Sequence, residues 1–69
     1  MRKKEIDRSY FVAFCIEQYK TAKEMDGSKV AELFFNNGVC EYLTSHFDVL
    51  HTQSRQWIIE EIDDFLKDR

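Results

Sequence analysis

The fold is decided by the stretch Tyr10-Phe11-Val12-Ala13-Phe14-Cys15-Ile16-Glu17-Gln18-Tyr19. Its apolar side chains cover more than half of a helical circumference. The same pattern continues outward and predicts a first helix from about Ile6 to Met25. A helix with so broad an apolar arc is expected to lie centrally and to contact partners on two sides. Asp7 or Ser9 is the candidate N-cap of this helix.

A second helix is predicted directly after the first. Asp26-Gly27-Ser28 is a helix-start signal, because a short side-chain oxygen can accept hydrogen bonds from the free amides of the next turn. Val30, Leu33 and Phe34 then share one face. Asn36-Asn37-Gly38 predicts the end of the helix, since a left-handed residue there closes the last turn.

The next segment is predicted to be short helix and turn. Val39 is placed to pack back over the end of the second helix, and a third helix is expected from Cys40 to about His46. Phe47 to Thr52 combines aromatic and β-branched residues, but the chain offers no obvious partner strand. We interpret this piece as a turn inserted into the core through Val49 and Leu50.

The last predicted helix begins at a cap supplied by Thr52 or Ser54 and runs to about Lys67. The sequence therefore predicts an all-α protein, a small four-helix orthogonal or bundle-like single domain over residues 1–69. Five side chains are expected to be buried together in one core: Phe14, Leu33, Phe34, Ile58 and Ile62.

Composition limits the class of protein. At 43% hydrophobic residues the 69-residue chain is too apolar for a disordered protein, and at 33% charged residues it has no apolar run that could span a membrane. The N-terminus is basic, but Asp7, Arg8 and Ser9 interrupt the apolar stretch that a signal peptide would need. We expect a cytoplasmic protein with no membrane partner.

Nucleic acid is not an expected partner. The net charge of −3 disfavours general binding to phosphates, which requires a basic face. The second and third helices could be mistaken for a helix-turn-helix around Gly38, yet the segment from Cys40 to His46 contains Glu41 and neither lysine nor arginine. A DNA-binding regulator is therefore kept only as an alternative.

Four residues are candidates for metal binding or nucleophilic catalysis, and these are Cys15, Cys40, His46 and His51. Zinc sites usually begin with two cysteines a few residues apart, and these cysteines are widely separated. A nucleophilic Cys40 oriented through a histidine and Asp48 would also need a substrate cleft, for which so short a chain has little room. We expect reduced, buried thiols and no catalytic residue, metal or cofactor, with a small metal-dependent structural protein as the second alternative.

The last helix carries the candidate partner-binding residues. Trp57, Glu60, Glu61 and Asp64 follow a helical spacing on the side away from Ile58 and Ile62. Glu60 and Asp64 are like charges four residues apart, an arrangement that a purely structural helix need not adopt.

We expect this stripe to dock a basic protein partner, with the tryptophan as anchor and the carboxylates as steering charge. Phe35, which lies off the apolar face of the second helix, is a further candidate contact. The opposite charge of Arg2, Lys3 and Lys4 also allows head-to-tail pairing into a homo-oligomer, although hetero-association is the prediction.

A family resemblance extends over nearly the whole chain. Its most specific part is the run Asp48-Val49-Leu50-His51-Thr52, and the other matching segments are Phe11–Glu17, Val30–Phe34, Gly38-Val39, Tyr42-Leu43 and Ile62-Asp63. Together these segments resemble the bacterial domain-of-unknown-function family catalogued as thirty-seven ninety-one. Within this run we expect Asp48, His51 and Thr52 to be structural, with the His51 imidazole hydrogen-bonded to the backbone or to Asp48.

The resemblance implies a short helical protein to which no catalytic residue can be transferred. Genes of this family often lie beside genes for ADP-ribosyltransferase-like proteins, which implies an antitoxin-like or accessory subunit. The expected function is thus that of a non-enzymatic protein-interaction module.

Overall fold

The computed structural model describes the backbone of residues 3–67 and the side chains of residues 7–67. Within these residues every regular element is an α-helix, which confirms the all-α class. The helices are α1 (Lys3–Lys23), α2 (Gly27–Asn36), α3 (Val39–Ser45), α4 (Phe47–Leu50) and α5 (Arg55–Lys67). The four predicted helices correspond to α1, α2, α3 and α5, and α4 is an additional single turn.

The central helix α1 begins earlier than predicted. Asp7 and Ser9 lie inside it and therefore do not cap it. At its other end Glu24 adopts a left-handed conformation with φ of 52°. The Met25 N–H donates to the Lys20 carbonyl at 3.0 Å, and the Glu24 N–H donates to the Thr21 carbonyl at 3.4 Å. This is the Schellman arrangement, with a glutamate at the position where glycine is usual.

The α2–α3 connection forms as predicted. Gly38 has φ of 74°, and the Asn37 N–H and Nδ2 both donate to the Leu33 carbonyl. Val39 is fully buried, so it covers the end of α2. At the start of α2, Asp26 occupies the cap position, but its carboxylate accepts from the Ser28 hydroxyl and makes no side-chain cap bond to the backbone.

The interpretation of Phe47 to Thr52 as a turn was wrong for its first half. Phe47–Leu50 is one turn of helix joined to α3 through His46. Leu50 is buried as predicted, but Val49 is 59% exposed. The helical geometry explains the difference, because residues three apart share a face and Phe47 and Leu50 already occupy the inward one.

The core lies where α1 meets α2, α3 and α5. Phe34, Ile58 and Ile62 are buried as predicted, whereas Leu33 is only partly buried. Phe14 was predicted to be buried and is 45% exposed. The inward face of α1 is formed instead by residues four apart, and these are Phe11, Cys15 and Tyr19.

Two hydrogen bonds and one ion pair fasten α5 to α1. The Tyr19 hydroxyl donates to Asp63 at 2.7 Å, and the Lys23 ammonium contacts the other carboxylate oxygen at 2.7 Å. The Arg55 guanidinium donates to the Gln18 side-chain carbonyl at 3.1 Å. These contacts hold α5 with its outer face turned to solvent.

None of the helices described is long and apolar enough to cross a membrane.

Candidate partner-binding surface

The outer face of α5 presents three of the predicted partner-binding residues. Trp57 is 41% exposed, and Glu60 and Asp64 are also exposed. Residues separated by three, four or seven positions lie on the same side of a helix, so these three side chains share one side. The buried isoleucines of the same helix lie on the opposite side. We call Trp57, Glu60 and Asp64 the α5 face.

Ser54 determines where α5 begins. The Trp57 N–H donates to its Oγ at 3.2 Å, and the Ile58 N–H donates to its carbonyl at 3.0 Å. Of the two predicted caps, Ser54 is therefore the one used. Thr52 instead donates its hydroxyl to the Val49 carbonyl at 2.8 Å, which closes the turn after α4.

Glu61 was predicted to lie on the same stripe, but the structure turns it toward α3. Its carboxylate accepts a hydrogen bond from the Tyr42 hydroxyl, and the Tyr42 ring stacks on Phe65 with ring centres 4.6 Å apart. Burial, followed by this hydrogen bond and the charge of Glu61, raises the pKa of Tyr42 to about 12. Glu61 thus serves the α3–α5 contact and not the exposed face.

The carboxylates of the α5 face keep their charge accessible. Gln56 donates its amide to Glu60 at 2.9 Å. Lys67 lies 3.6 Å from Asp64, with both side chains at least 70% exposed. An ion pair as exposed as this one contributes little to the stability of the fold, and another cation can replace the lysine. Of the predicted basic end, Arg2 and the side chains of Lys3 and Lys4 lie outside the described residues.

Phe35 is on a different helix from the α5 face. It lies on α2 and is 75% exposed. Since α2 packs mainly against α1 and α3, Phe35 forms a separate exposed aromatic site. The structure gives no contact that joins it to Trp57.

The Asp48-to-Thr52 run has a structural geometry. The His51 Nδ1–H donates to the Phe47 carbonyl at 2.7 Å, and the two rings stack with centres 4.5 Å apart. The hydrogen bond goes to the backbone, one of the two partners expected, although the imidazole is exposed rather than buried. Asp48 is exposed in the single turn of α4.

Both cysteines are free thiols; Cys15 is buried as expected, whereas Cys40 is only partly buried. Burial raises the pKa of Cys15 to about 12, and burial followed by the charge of Glu41 raises the pKa of Cys40. Only thiolates act as nucleophiles or metal ligands, so both groups are poorly suited to either task. Within the described residues, no three His, Cys, Asp or Glu side chains come close enough to hold a metal ion.

An aromatic groove between α1 and α4 was missed by the sequence analysis. Its volume is about 490 Å³. The residues that line it are Asp7, Tyr10, Phe11, Phe14, Phe47, His51, Gln53 and Ile58. Tyr10, one turn before Phe14, is 72% exposed at its edge. The available signal was the four-residue spacing of these two aromatics, but the broad apolar arc of α1 made both look like core residues.

Comparisons with known proteins agree with the resemblance seen in the sequence. No curated protein and no solved structure matches the chain. A family model matches residues 10–69, which include every element after the first turns of α1. The chain therefore belongs to the family described as Protein of unknown function (DUF3791).

Proposed function

We propose that this protein is a non-catalytic, cytoplasmic interaction module that binds a basic protein partner through the α5 face. The observation that carries the proposal is the position of Trp57, which is 41% exposed at the head of the acidic stripe. Tryptophan is among the side chains that most often anchor protein–protein binding. A tryptophan needed only for folding would be expected to turn further into the core.

The charge of the face argues for a basic partner. Glu60 and Asp64 lie one turn apart and repel each other mildly, at a cost of a few tenths of a kcal/mol. A cationic surface would relieve this repulsion and would also be attracted by the net charge of −3. Such charges mainly accelerate association, whereas the buried aromatic slows dissociation.

In biological terms we propose an antitoxin-like or accessory subunit of an ADP-ribosyltransferase-like protein encoded beside it. The support is the gene neighbourhood that the family resemblance implies, together with the exposed aromatic and acidic side chains of the α5 face. The module would act by occupying a basic surface of that enzyme.

The test is co-expression of the chain with the neighbouring ADP-ribosyltransferase-like protein, followed by purification of the complex and calorimetric titration. We expect Trp57→Ala to weaken binding by about 30-fold or more, which corresponds to about 2 kcal/mol. Glu60→Gln and Asp64→Asn should slow association and flatten its dependence on salt. Glu32→Gln removes an exposed carboxylate from α2 and is the matched control.

Two results would reject the proposal. One is the absence of any complex between the two proteins. The other is an affinity that Trp57→Ala, Glu60→Gln and Asp64→Asn all leave unchanged. In that second case Phe35 on α2 becomes the next surface to substitute, because it is the most exposed large apolar side chain among those described.

A further inference from the structure

We propose that the aromatic groove between α1 and α4 binds a small, uncharged, planar aromatic molecule that donates an N–H hydrogen bond to His51. The ring of the ligand would lie against the aromatic side chains of the groove, and the Nε2 atom of His51 would accept its hydrogen. This site is distinct from the α5 face, so the inference does not depend on the proposed function.

The His51 imidazole is held in one orientation although it is exposed. Its Nδ1 lies 2.7 Å from the Phe47 carbonyl, and its ring stacks on the Phe47 ring with an angle of 13° between the planes. A carbonyl oxygen can only accept, so Nδ1 carries the hydrogen, and in the neutral imidazole Nε2 is then the acceptor. None of the hydrogen bonds between the described residues uses Nε2. Because His51 lines the groove, a preoriented acceptor is available at the groove wall.

The rest of the groove suits a flat ring. It is lined by Tyr10, Phe11, Phe14, Phe47 and Ile58 around a volume of about 490 Å³, within the range of about 300–1,000 Å³ of small-molecule pockets. Aromatic rings attract one another in offset or edge-to-face arrangements, with centres about 4.5–7 Å apart. Phe11 and Phe47 already make such an edge contact, with ring centres 5.5 Å apart. A ring that enters the groove would extend this arrangement.

The exposed area favours a small molecule over a protein. Tyr10 and Phe14 are 72% and 45% exposed. At about 200 Å² for each aromatic side chain, their exposed parts amount to roughly 230 Å². A specific protein interface buries about 800 Å² on each partner, which is far more than these side chains offer. The face of a bicyclic ring, in contrast, is covered by an area of this size.

The charges around the groove favour an uncharged ligand. Asp7 lines the groove, whereas no lysine or arginine does so among the described residues, and an anion would therefore be repelled. The Arg8 guanidinium lies 6.0 Å from the centre of the Phe47 ring, so a cation placed against that ring would meet a like charge. A neutral molecule with an N–H donor avoids both repulsions and still pairs with Nε2 of His51.

Titration of the full isotope-labelled chain with indole, followed by NMR at about pH 8, tests the proposal. Indole supplies a planar ring and an N–H donor, and 1-methylindole is the matched probe without the donor. Indole should shift the signals of the groove residues with a dissociation constant of about 1 mM, because so small a ligand makes few contacts. The dissociation constant of 1-methylindole should be about 5-fold higher, which is the effect of a lost hydrogen bond.

Substitution of the imidazole isolates its contribution. His51→Phe keeps a ring that can stack on Phe47 but removes Nε2, so it should bring the affinities for the two probes within about 2-fold of each other. His46→Phe is the matched control. The Nδ1 of His46 also lies beside a backbone carbonyl, that of Tyr42 at 3.1 Å, but His46 does not line the groove. This control should keep the preference of about 5-fold for indole.

Two further variants locate the site. Phe14→Ser removes part of the groove wall and should weaken the binding of both probes about 5-fold or more. Trp57→Ala should change neither affinity, which separates this result from the test of the α5 face. Circular dichroism checks that each variant is folded, and the comparison of the two probes on the wild type is decisive even if a variant unfolds.

Four results would overturn the proposal. Indole at up to about 10 mM shifts no groove signal, or it shifts the signals around Trp57 instead. 1-Methylindole binds the wild type as tightly as indole does. The preference for indole survives His51→Phe, or it is lost in His46→Phe.

Discussion

The Tyr19 hydroxyl donates a 2.7 Å hydrogen bond to Asp63, which joins the middle of α1 to the last helix across 44 positions of sequence. The Lys23 ammonium binds the other oxygen of the same carboxylate at 2.7 Å. Burial by itself would raise the pKa of Asp63. The hydrogen bonds from Lys23 and Tyr19, with the charges of Lys23 and Lys67, outweigh that effect and lower the pKa below its ordinary value of 3.8.

This network predicts a loss of stability in acid. A carboxyl group with a lowered pKa stabilises the fold above its ordinary pKa, and the contribution disappears as the pH falls through the folded-state value. We expect Asp63→Asn to cost about 1 kcal/mol at pH 6, after allowance for partial exposure. The wild type and the variant should become similar once the pH falls below the folded-state pKa of Asp63.

Urea unfolding at pH 6 and at a series of lower pH values measures this difference. Asp64→Asn is the matched control, because it removes a neighbouring carboxylate that is 70% exposed. An Asp63→Asn variant as stable as the wild type at pH 6 would contradict the assignment.

The Tyr42–Glu61 contact predicts a displaced tyrosine titration. Absorbance at 295 nm should show one phenol with a midpoint of about 12 that is missing from Tyr42→Phe. Because the pKa is raised in the folded state, the contact stabilises the protein below the ordinary value of 10 and is lost as the pH rises through about 12. Glu61→Gln should move the midpoint toward its ordinary value, since it removes the adjacent charge. The prediction would be refuted if the phenol lost in Tyr42→Phe were one with a midpoint near 10, with circular dichroism showing an intact fold.

The left-handed residue at the end of α1 predicts a stabilising substitution. An L-residue in this conformation is strained by about 1–2 kcal/mol, whereas glycine is not. Glycine also makes the unfolded chain more flexible, so Glu24→Gly should stabilise the protein by a net amount of about 0.5–1 kcal/mol. Glu32→Gly, in the interior of α2, should instead destabilise by about 1 kcal/mol. Thermal melts of the two variants should therefore shift in opposite directions, and a lower melting temperature for Glu24→Gly would count against the Schellman assignment.

The different positions of two phenylalanines predict different costs. Phe34 is fully buried, and Phe34→Ala should destabilise by about 3–5 kcal/mol, a large part of the stability of so small a protein. Phe14 is 45% exposed, so Phe14→Ala should cost only about 1 kcal/mol. Urea unfolding compares the two variants. Equal costs would show that Phe14 is part of the core.

The sequence alone determined the helical class, the break between α2 and α3, and the start of the last helix at one of two candidate caps, of which the structure uses Ser54. These features depend on local chemistry. Gly38 can adopt a positive φ without strain, and Ser54 can reach an amide three residues ahead. The isoleucines of α5 likewise repeat with a period that only a helix satisfies.

Only the tertiary structure decided which apolar residues remain uncovered. The pattern of α1 could not distinguish Phe14 from Cys15, because the choice depends on where α2, α3 and α5 dock. Glu61 left the predicted stripe because Tyr42, distant in sequence, supplies a hydroxyl on its side. Periodicity determines which residues share a helix face, but it does not determine which face another helix will cover, since that depends on the packing of the whole chain.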